Sequence, residues 1–177
     1  MTATPIAIDE SPGGAATPRP GRAARAGLLL AGMFALVVLP LIVTGFDHGR
    51  GASDQFNYHG RVVQTFASQW PRPDLSDYLS MTTPGYHLAI AAVAVFITDA
   101  WDFLQTASML FSLALLGLLA TSVARRSGWT TRGTVAVCLP VACSLYVISA
   151  GIWLLPDNAA WLGVLGVLLI ALRPRID

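Results

Sequence analysis

Acids and histidines cluster in one polar stretch of this otherwise apolar sequence, between residues 47 and 87. The four acids and three histidines of the stretch are Asp47, Asp54, Asp74, Asp77, His48, His59 and His87. A carboxylate held near a lipid interface can act as a general base on an acceptor hydroxyl, and a neighbouring histidine or arginine can bind a phosphate. These residue types are therefore those of an acid–base site beside a membrane.

Asp54 is the foremost candidate for the base. Ser53 can cap a helix, and Asp54 then falls in the first turn, where the helix dipole favours a carboxylate. A plain solvated residue at a helix start is the alternative interpretation of Asp54. His59 and Arg61 could neutralise a phosphate, or could be an interfacial histidine and an arginine whose stem lies along apolar surface.

A second candidate acid, Asp157, interrupts a later apolar run as Pro-Asp-Asn, and the alternative is a simple span end. Asp74 is predicted as a turn residue, and Asp77 as a turn residue or a substrate-binding acid. Asp54, His59 and His87 could also form a metal site. No two of these three have the i,i+4 spacing of helical metal ligands, so we expect neither a metal nor another cofactor.

Composition identifies the class of protein that must position these residues. Of the 177 residues, 54% are hydrophobic and 12% are charged, against about 25% charged in soluble domains. The sequence therefore predicts an integral membrane protein, and a net charge of +1 gives no reason to expect a nucleic-acid partner. All eleven basic residues are arginine, which is typical of a GC-rich bacterial genome. Cys138 and Cys143 are predicted as buried structural thiols.

The apolar runs predict an all-α integral membrane protein with about four transmembrane helices. A secretory signal peptide is the rival interpretation of the first run. The predicted segments are a disordered cytoplasmic tail (1–26), a first span (27–46), an outer loop (47–102) with juxtamembrane helices (54–70 and 86–98), a second span (103–124), a cytoplasmic turn (125–133), a third span (134–155), and an acidic outer turn, fourth span and basic end (156–177). In the loop, apolar residues from Phe56 to Trp70 recur at spacings of three and four, which predicts a helix lying on the membrane surface.

Arginine distribution decides between two topologies. If 86–98 crossed the membrane there would be five spans, and eight of the eleven arginines would lie outside. If it does not cross, there are four spans with eight arginines inside, which the positive-inside rule prefers. We therefore expect a multi-pass cell-membrane protein with a cytoplasmic N-terminus, and Asp54 on the same side as Asp157.

The loop motifs resemble a known family. An aspartate opening an outer helix after the first span, then W-x-x-x-D-L-S-x-Y (Trp70–Tyr78) and T-T-P-G-Y-H (Thr82–His87), is similar to the N-terminal part of the GT-C membrane glycosyltransferases. The nearest likeness is to the dolichyl-phosphate-glucose-dependent alpha-1,2-glucosyltransferases and their bacterial relatives. The later RRSGWTTRG and LLPDNAAW segments resemble the next landmarks of that superfamily. The likeness covers about Gly27 to Arg175.

The resemblance implies an inverting transfer of one sugar from a polyprenyl-phosphate donor to an acceptor hydroxyl on the outer face. It implies that Asp54 is the base, that Asp157 orients the acceptor or Asp54, and that Arg61 offsets the charge of the phosphate. Tyr86 and His87 would line the entry of the donor. The chain differs from the family in two respects: Gln55 stands where a second acid is usual, and family members are longer. A truncated gene, a fragment or half of a split enzyme, with a second chain supplying further spans, would explain the length.

A non-enzymatic membrane protein, such as a transporter fragment or an assembly subunit, is the alternative function. Transporters usually place ionisable groups at mid-membrane. Here the runs 27–46, 103–124 and 159–172 carry no charge, and the acids lie at the boundary. This placement favours chemistry at the membrane surface.

Overall fold

The computed structural model describes residues 20–45, 50–76, 78 and 83–172, and within these ranges the regular elements are all helical. The α-helices are α1 (Pro20–Val43), α2 (Arg50–Asp54), α3 (Gly60–Ser68), α4 (Gly85–Ala94), α5 (Trp101–Ser127), α6 (Thr131–Ala142), α7 (Leu145–Ile152) and α8 (Asp157–Ala171). A π-helix (Gln55–His59) joins α2 to α3. The prediction of an all-α protein is confirmed for this part of the chain.

Two helices are long and apolar enough to cross a membrane, the segments Gly21–Val43 and Trp101–Ser127. They indicate a membrane protein, as predicted. Along α1, buried residues recur every three or four positions (Ala23, Ala26, Leu30, Phe34, Val38 and Ile42). Leucines and valines on the opposite side are exposed, such as Leu28, Leu36 and Val43, which fits a surface that faces lipid. The α1 helix begins at Pro20, inside the tail predicted over 1–26, because Ala23 and Ala26 pack on Ala124.

The α1 and α5 helices cross closely at two glycines. They run antiparallel, since Gly27 lies against Gly117 and Thr121 while Phe34, farther along α1, belongs to one cluster with Met109 of α5. A Cβ atom at Gly27 would lie 2.5 Å from the carbonyl oxygen of Gly117, and it would also meet the Thr121 hydroxyl. Small residues at such crossings let backbones approach, and packing between helices is a main source of stability within a membrane.

We expect Gly27→Ala to destabilise the α1–α5 pair by about 1–3 kcal/mol, because the added methyl group meets backbone. Gly32→Ala is the matched control in the same helix, where no atom lies within 4 Å of the new Cβ. The control should change stability by less than about 1 kcal/mol, through helix propensity alone. Thermal unfolding in detergent, followed by circular dichroism, measures both variants. Equal midpoints for the two would contradict the close crossing.

The predicted third span, 134–155, is not one straight helix. It is divided into α6 and α7, which meet at an angle of 75°. Pro140 lies in the last turn of α6, where it cannot donate a backbone hydrogen bond, and Ser144 caps α7 by accepting from the Val147 amide at 3.3 Å. The pair is one broken span or a re-entrant segment by length and composition. Cys143 lies at the bend and is exposed, so the prediction of a buried thiol holds only for Cys138.

The loop helices pack on the start of α5 and on each other, and the predicted surface helix 54–70 is three segments, α2, the π-helix and α3. It begins at Arg50, so Ser53 does not cap it and Asp54 does not lie in its first turn, contrary to the prediction. Val63 and Phe66 are buried in a cluster with Ile90 of α4 and Leu104 of α5. The stripe predicted to lie on lipid therefore covers protein in its central part, while Trp70 is exposed. The predicted helix 86–98 is α4 and ends at Ala94; its 10 residues span roughly 15 Å, well short of a bilayer core.

Arginines lie at one end of the helix bundle, and the acid of α8 lies at the other. Arg22 and Arg25 lie in the first turns of α1, and Arg125 and Arg126 lie in the last turn of its antiparallel neighbour α5. Arg126 Nη2 donates to the carbonyl of Leu172 at 3.4 Å, which brings the end of α8 to this basic end. The start of α8, with its acid, points the other way.

Candidate functional site

A buried glutamine ties the two candidate acids to one place. Gln55 is completely buried, and its Oε1 accepts from the Leu154 amide at 2.7 Å and from Gln105 Nε2 at 3.1 Å. Gln55 follows Asp54 in the chain, and Leu154 lies shortly before Asp157. These hydrogen bonds therefore fix the start of the loop helices against the segment that leads into α8.

The π-helix Gln55–His59 sets the directions of the side chains in this region. Its wider turn shifts the phase of the helix by one residue relative to a continuous α-helix. Gln55 consequently points into the bundle and His59 lies half-buried toward α4, while Asp54 stays exposed. Gly60, directly after the π-helix, allows the ring of Trp101 to approach, since a Cβ there would clash with that ring. Single π-turns inside α-helices occur often at functional sites.

Two histidines from different helices form a hydrogen-bonded pair. His59 Nδ1 lies 2.8 Å from His87 Nε2, and the two rings are nearly parallel, at 19°. The other nitrogen of His87, Nδ1, lies 3.0 Å from the hydroxyl of Tyr78. His87 is completely buried, so both of its nitrogens are engaged within the protein.

Both candidate acids act electrostatically on His59. Burial lowers the pKa of His59, while the carboxylates of Asp54 and Asp157 act in the opposite direction. Burial, reinforced by His59, lowers the pKa of His87 to about 4. At neutral pH both rings are therefore largely uncharged, so His59 would not offset the charge of a phosphate.

Tyr86 and Asn158 join the neighbouring helices around this region through buried hydrogen bonds. Tyr86 is buried, with its hydroxyl 2.8 Å from Ser108 Oγ. Burial raises the pKa of Tyr86, the hydrogen bond to Ser108 lowers it, and the Asp157 carboxylate raises it further. Asn158 donates from Nδ2 to Ser112 Oγ at 2.6 Å and to the Val147 carbonyl at 2.9 Å. These bonds fix the start of α8 and leave Asp157 exposed at its first turn.

An apolar groove begins at Asp157. Its cavity volume is about 640 Å³, and it runs between α5, the α6–α7 bend and α8. Asp157, Asn158 and Ser144 are the main polar residues of the lining, and the rest is mainly leucine and valine with Tyr146 and Trp161. The groove has the shape and polarity to hold a hydrocarbon chain with a polar group at the acidic end.

The predicted site residues are thus only partly assembled. Asp54, His59, Tyr86, His87 and Asp157 lie in one region linked by hydrogen bonds or electrostatic interaction. Arg61 instead lines a separate cleft of about 270 Å³ on α3, together with Thr65, Gln69, Asp74 and Tyr78. Asp77 lies outside the described residues, as do Asp47 and His48. In the part of the chain that is described, no group of three or more His, Cys, Asp or Glu side chains could hold a metal ion.

Four features of the site were not predicted from the sequence: Gln55, Tyr78, Asn158 and a polar stripe of α5. The stripe consists of Gln105, Ser108 and Ser112, which are buried at spacings of three and four. That spacing within an apolar span was a readable signal of a polar helix face. The partners of the stripe are Gln55, Asn158 and Tyr86, which lie 50, 46 and 22 residues away along the chain. No local pattern in the sequence indicates these pairings.

Comparisons with models of protein families, with curated proteins and with solved structures find no match to this chain. The likeness to GT-C glycosyltransferases therefore depends on the motifs quoted above and on what the site can do.

Proposed function

We propose that this chain is a GT-C-type membrane glycosyltransferase module that transfers a sugar from a polyprenyl-phosphate donor to an acceptor hydroxyl. One observation carries the proposal: Asp54 and Asp157, about 100 residues apart, both act electrostatically on His59, and Asp157 also lines an apolar groove of about 640 Å³. Two carboxylates that act on one histidine, with one of them at a lipid-sized groove, suit acid–base chemistry on a lipid-linked substrate.

In this proposal, Asp54 takes the proton from the acceptor hydroxyl as its oxygen attacks the anomeric carbon. The bond between that carbon and the phosphate oxygen breaks, its electron pair leaves with the lipid phosphate, and the configuration inverts. Asp157, exposed at the polar end of the groove, accepts a hydrogen bond from a sugar or acceptor hydroxyl and orients it. The aliphatic walls of the groove hold the isoprenoid chain.

The proposed topology has four spans, a cytoplasmic N-terminus and the site on the outer face of the cell membrane. The bend pair counts as one span and α8 as another. The arginines of α1 and of the end of α5 lie together, at the end where the positive-inside rule places the cytoplasm. The short length of α4 and the tie between Gln55 and Leu154 both support a common side for Asp54 and Asp157.

Sidedness of residue 157 tests this topology. Cys138 and Cys143 are changed to Ser, Asp157 is changed to Cys, and intact cells are treated with a membrane-impermeant maleimide. We expect labelling from outside without lysis. A parallel variant with its single Cys at Gly128, in the turn after α5, should be labelled only after lysis. The reverse pattern, or labelling of both positions from the same side, would contradict the four-span arrangement.

Sugar transfer itself is tested with the full chain in lipid nanodiscs. Radiolabelled polyprenyl-phosphate hexoses are supplied with lipid-linked and soluble oligosaccharide acceptors, and the product is separated by chromatography. Transfer that depends on Asp54 supports the proposal. No transfer from any of these donors, or transfer unaffected by loss of both Asp54 and Asp157, would favour the non-enzymatic alternative.

A further inference from the structure

Tyr78, His87 and His59 form a hydrogen-bonded series in which each ring nitrogen of the two histidines has a different role. His87 uses Nδ1 toward Tyr78 and Nε2 toward His59, at 3.0 and 2.8 Å, and is inaccessible to solvent. It therefore has no nitrogen left for a substrate. Its position in the series lets it orient His59 only.

His59 differs in having one nitrogen available. Its Nδ1 is engaged by His87, while Nε2 has no hydrogen-bond partner among the described residues, and the ring is only half-buried. A hydrogen bond between two ring nitrogens requires one donor and one acceptor, so the state of His87 selects the tautomer of His59. The same logic operates wherever a second group orients a proton-transfer histidine.

Two carboxylates favour a transient cation at His59, against the burial that lowers the pKa of the ring. They belong to Asp54 and Asp157. Among the described residues, the other titratable groups that face the histidine pair are Tyr58 of the π-helix, Tyr86 of α4 and Tyr78 of the loop. An imidazolium formed at His59 would thus be stabilised by two negative charges.

We propose that His59 is a second proton-transfer residue of this site, which receives through Nε2 the proton that Asp54 takes from the acceptor, and that His87 and Tyr78 are positioning residues. This inference rests on the proposed function. The O–H bond of protonated Asp54 breaks and an N–H bond forms at His59, which restores the carboxylate for the next cycle; water then removes the proton. Carboxylic acids as a class are stronger acids than imidazolium ions, and this difference favours the transfer, whereas the burial of His59 opposes it.

The first test is independent of activity. The full chain, labelled with ¹⁵N-histidine, is studied by NMR in nanodiscs, in a His48→Gln background that leaves only the two ring systems of interest. We expect the Nδ1–H tautomer of His59, with Nε2 unprotonated, at neutral pH, and Tyr78→Phe should change the tautomer signals of His59 as well as His87. The Nε2–H tautomer of His59, rings that titrate independently at ordinary histidine pH values, or a change confined to His87 would overturn the proposal.

The second test uses the transfer assay across pH. His59→Gln should lower the transfer rate about 10- to 100-fold. The rate of the unmodified protein should fall toward acidic pH in two steps, one where His59 is protonated and cannot accept a proton, and one where Asp54 is protonated and cannot act as the base. Only the His59 step should disappear in His59→Gln. Tyr78→Phe should move the His59 step along the pH axis. A purely structural role would lower the rate equally at every pH.

The outcomes separate the two proposals. If Asp54→Asn abolishes transfer while His59→Gln leaves both rate and pH profile unchanged, the role of His59 is overturned and the proposed function stands. If no transfer depends on Asp54, both are overturned.

Discussion

The Asp54→Asn variant is expected to transfer sugar about 10²- to 10⁴-fold more slowly than the unmodified protein, because an amide cannot take a proton from the acceptor hydroxyl. The substitution keeps the size of the side chain, and Asp54 makes no hydrogen bond that Asn would break among the described residues. The fold should therefore survive, and the loss should fall on kcat more than on KM. Initial rates with a saturating polyprenyl-phosphate donor measure the effect.

Asp102→Asn is the matched control for this substitution. Asp102 is also an exposed aspartate within a helix, in the first turn of α5, and it is not among the groups that act on the pKa of His59. It should keep the full transfer rate. Equal losses in both variants would indicate a general charge effect at the membrane surface, and an undiminished rate in Asp54→Asn would exclude the base role.

Gln55→Leu is expected to lower the free energy of unfolding by about 2–5 kcal/mol, since two buried donors lose their acceptor. These donors are the Leu154 amide and Gln105 Nε2, and neither has another hydrogen-bond partner among the described residues. Leucine has nearly the volume of glutamine, so the cost comes from unpaired polar groups and not from a cavity. Denaturant-induced unfolding in mixed micelles measures the difference.

Gln64→Leu provides the comparison, one helix farther along. Gln64 is only partly buried and donates a single, long hydrogen bond of 3.3 Å to the Asp99 carbonyl. Its replacement should change stability by less than about 1 kcal/mol. A smaller loss for Gln55→Leu than for Gln64→Leu would mean that the buried glutamine does not fix the two segments together.

The sequence revealed the class of the fold because that class depends on composition and periodicity. Apolar runs of sufficient length predicted the α1 and α5 spans. The 75° bend within the predicted third span was not predicted, since an angle between helices depends on what each packs against. The π-helix was not predicted either. Its phase shift turns Gln55 toward hydrogen-bond partners that are distant in the sequence, and no local pattern indicates them.

The site could be predicted only as a set of residue types. Asp54, His59, His87 and Asp157 were chosen from chemistry and from the expected sidedness. The hydrogen bond between His59 and His87 spans 28 residues and joins two helices whose relative position no local pattern specifies. Gln55 was noted only as a departure from an acidic pair, whereas its amide oxygen is the acceptor that holds the region together.

The bend between α6 and α7 determines how a lipid would reach the site. Tyr146, just after the bend, is 82% exposed, and Trp161 on the facing helix is 59% exposed, so the groove between them opens sideways. In a bilayer such an opening is a lateral portal, and a lipid-linked substrate would enter by two-dimensional diffusion without leaving the membrane. The substrate concentration that governs the rate would then be its mole fraction in the bilayer. Diluting the donor with inert phospholipid should slow transfer even when its concentration per volume of solution is held constant.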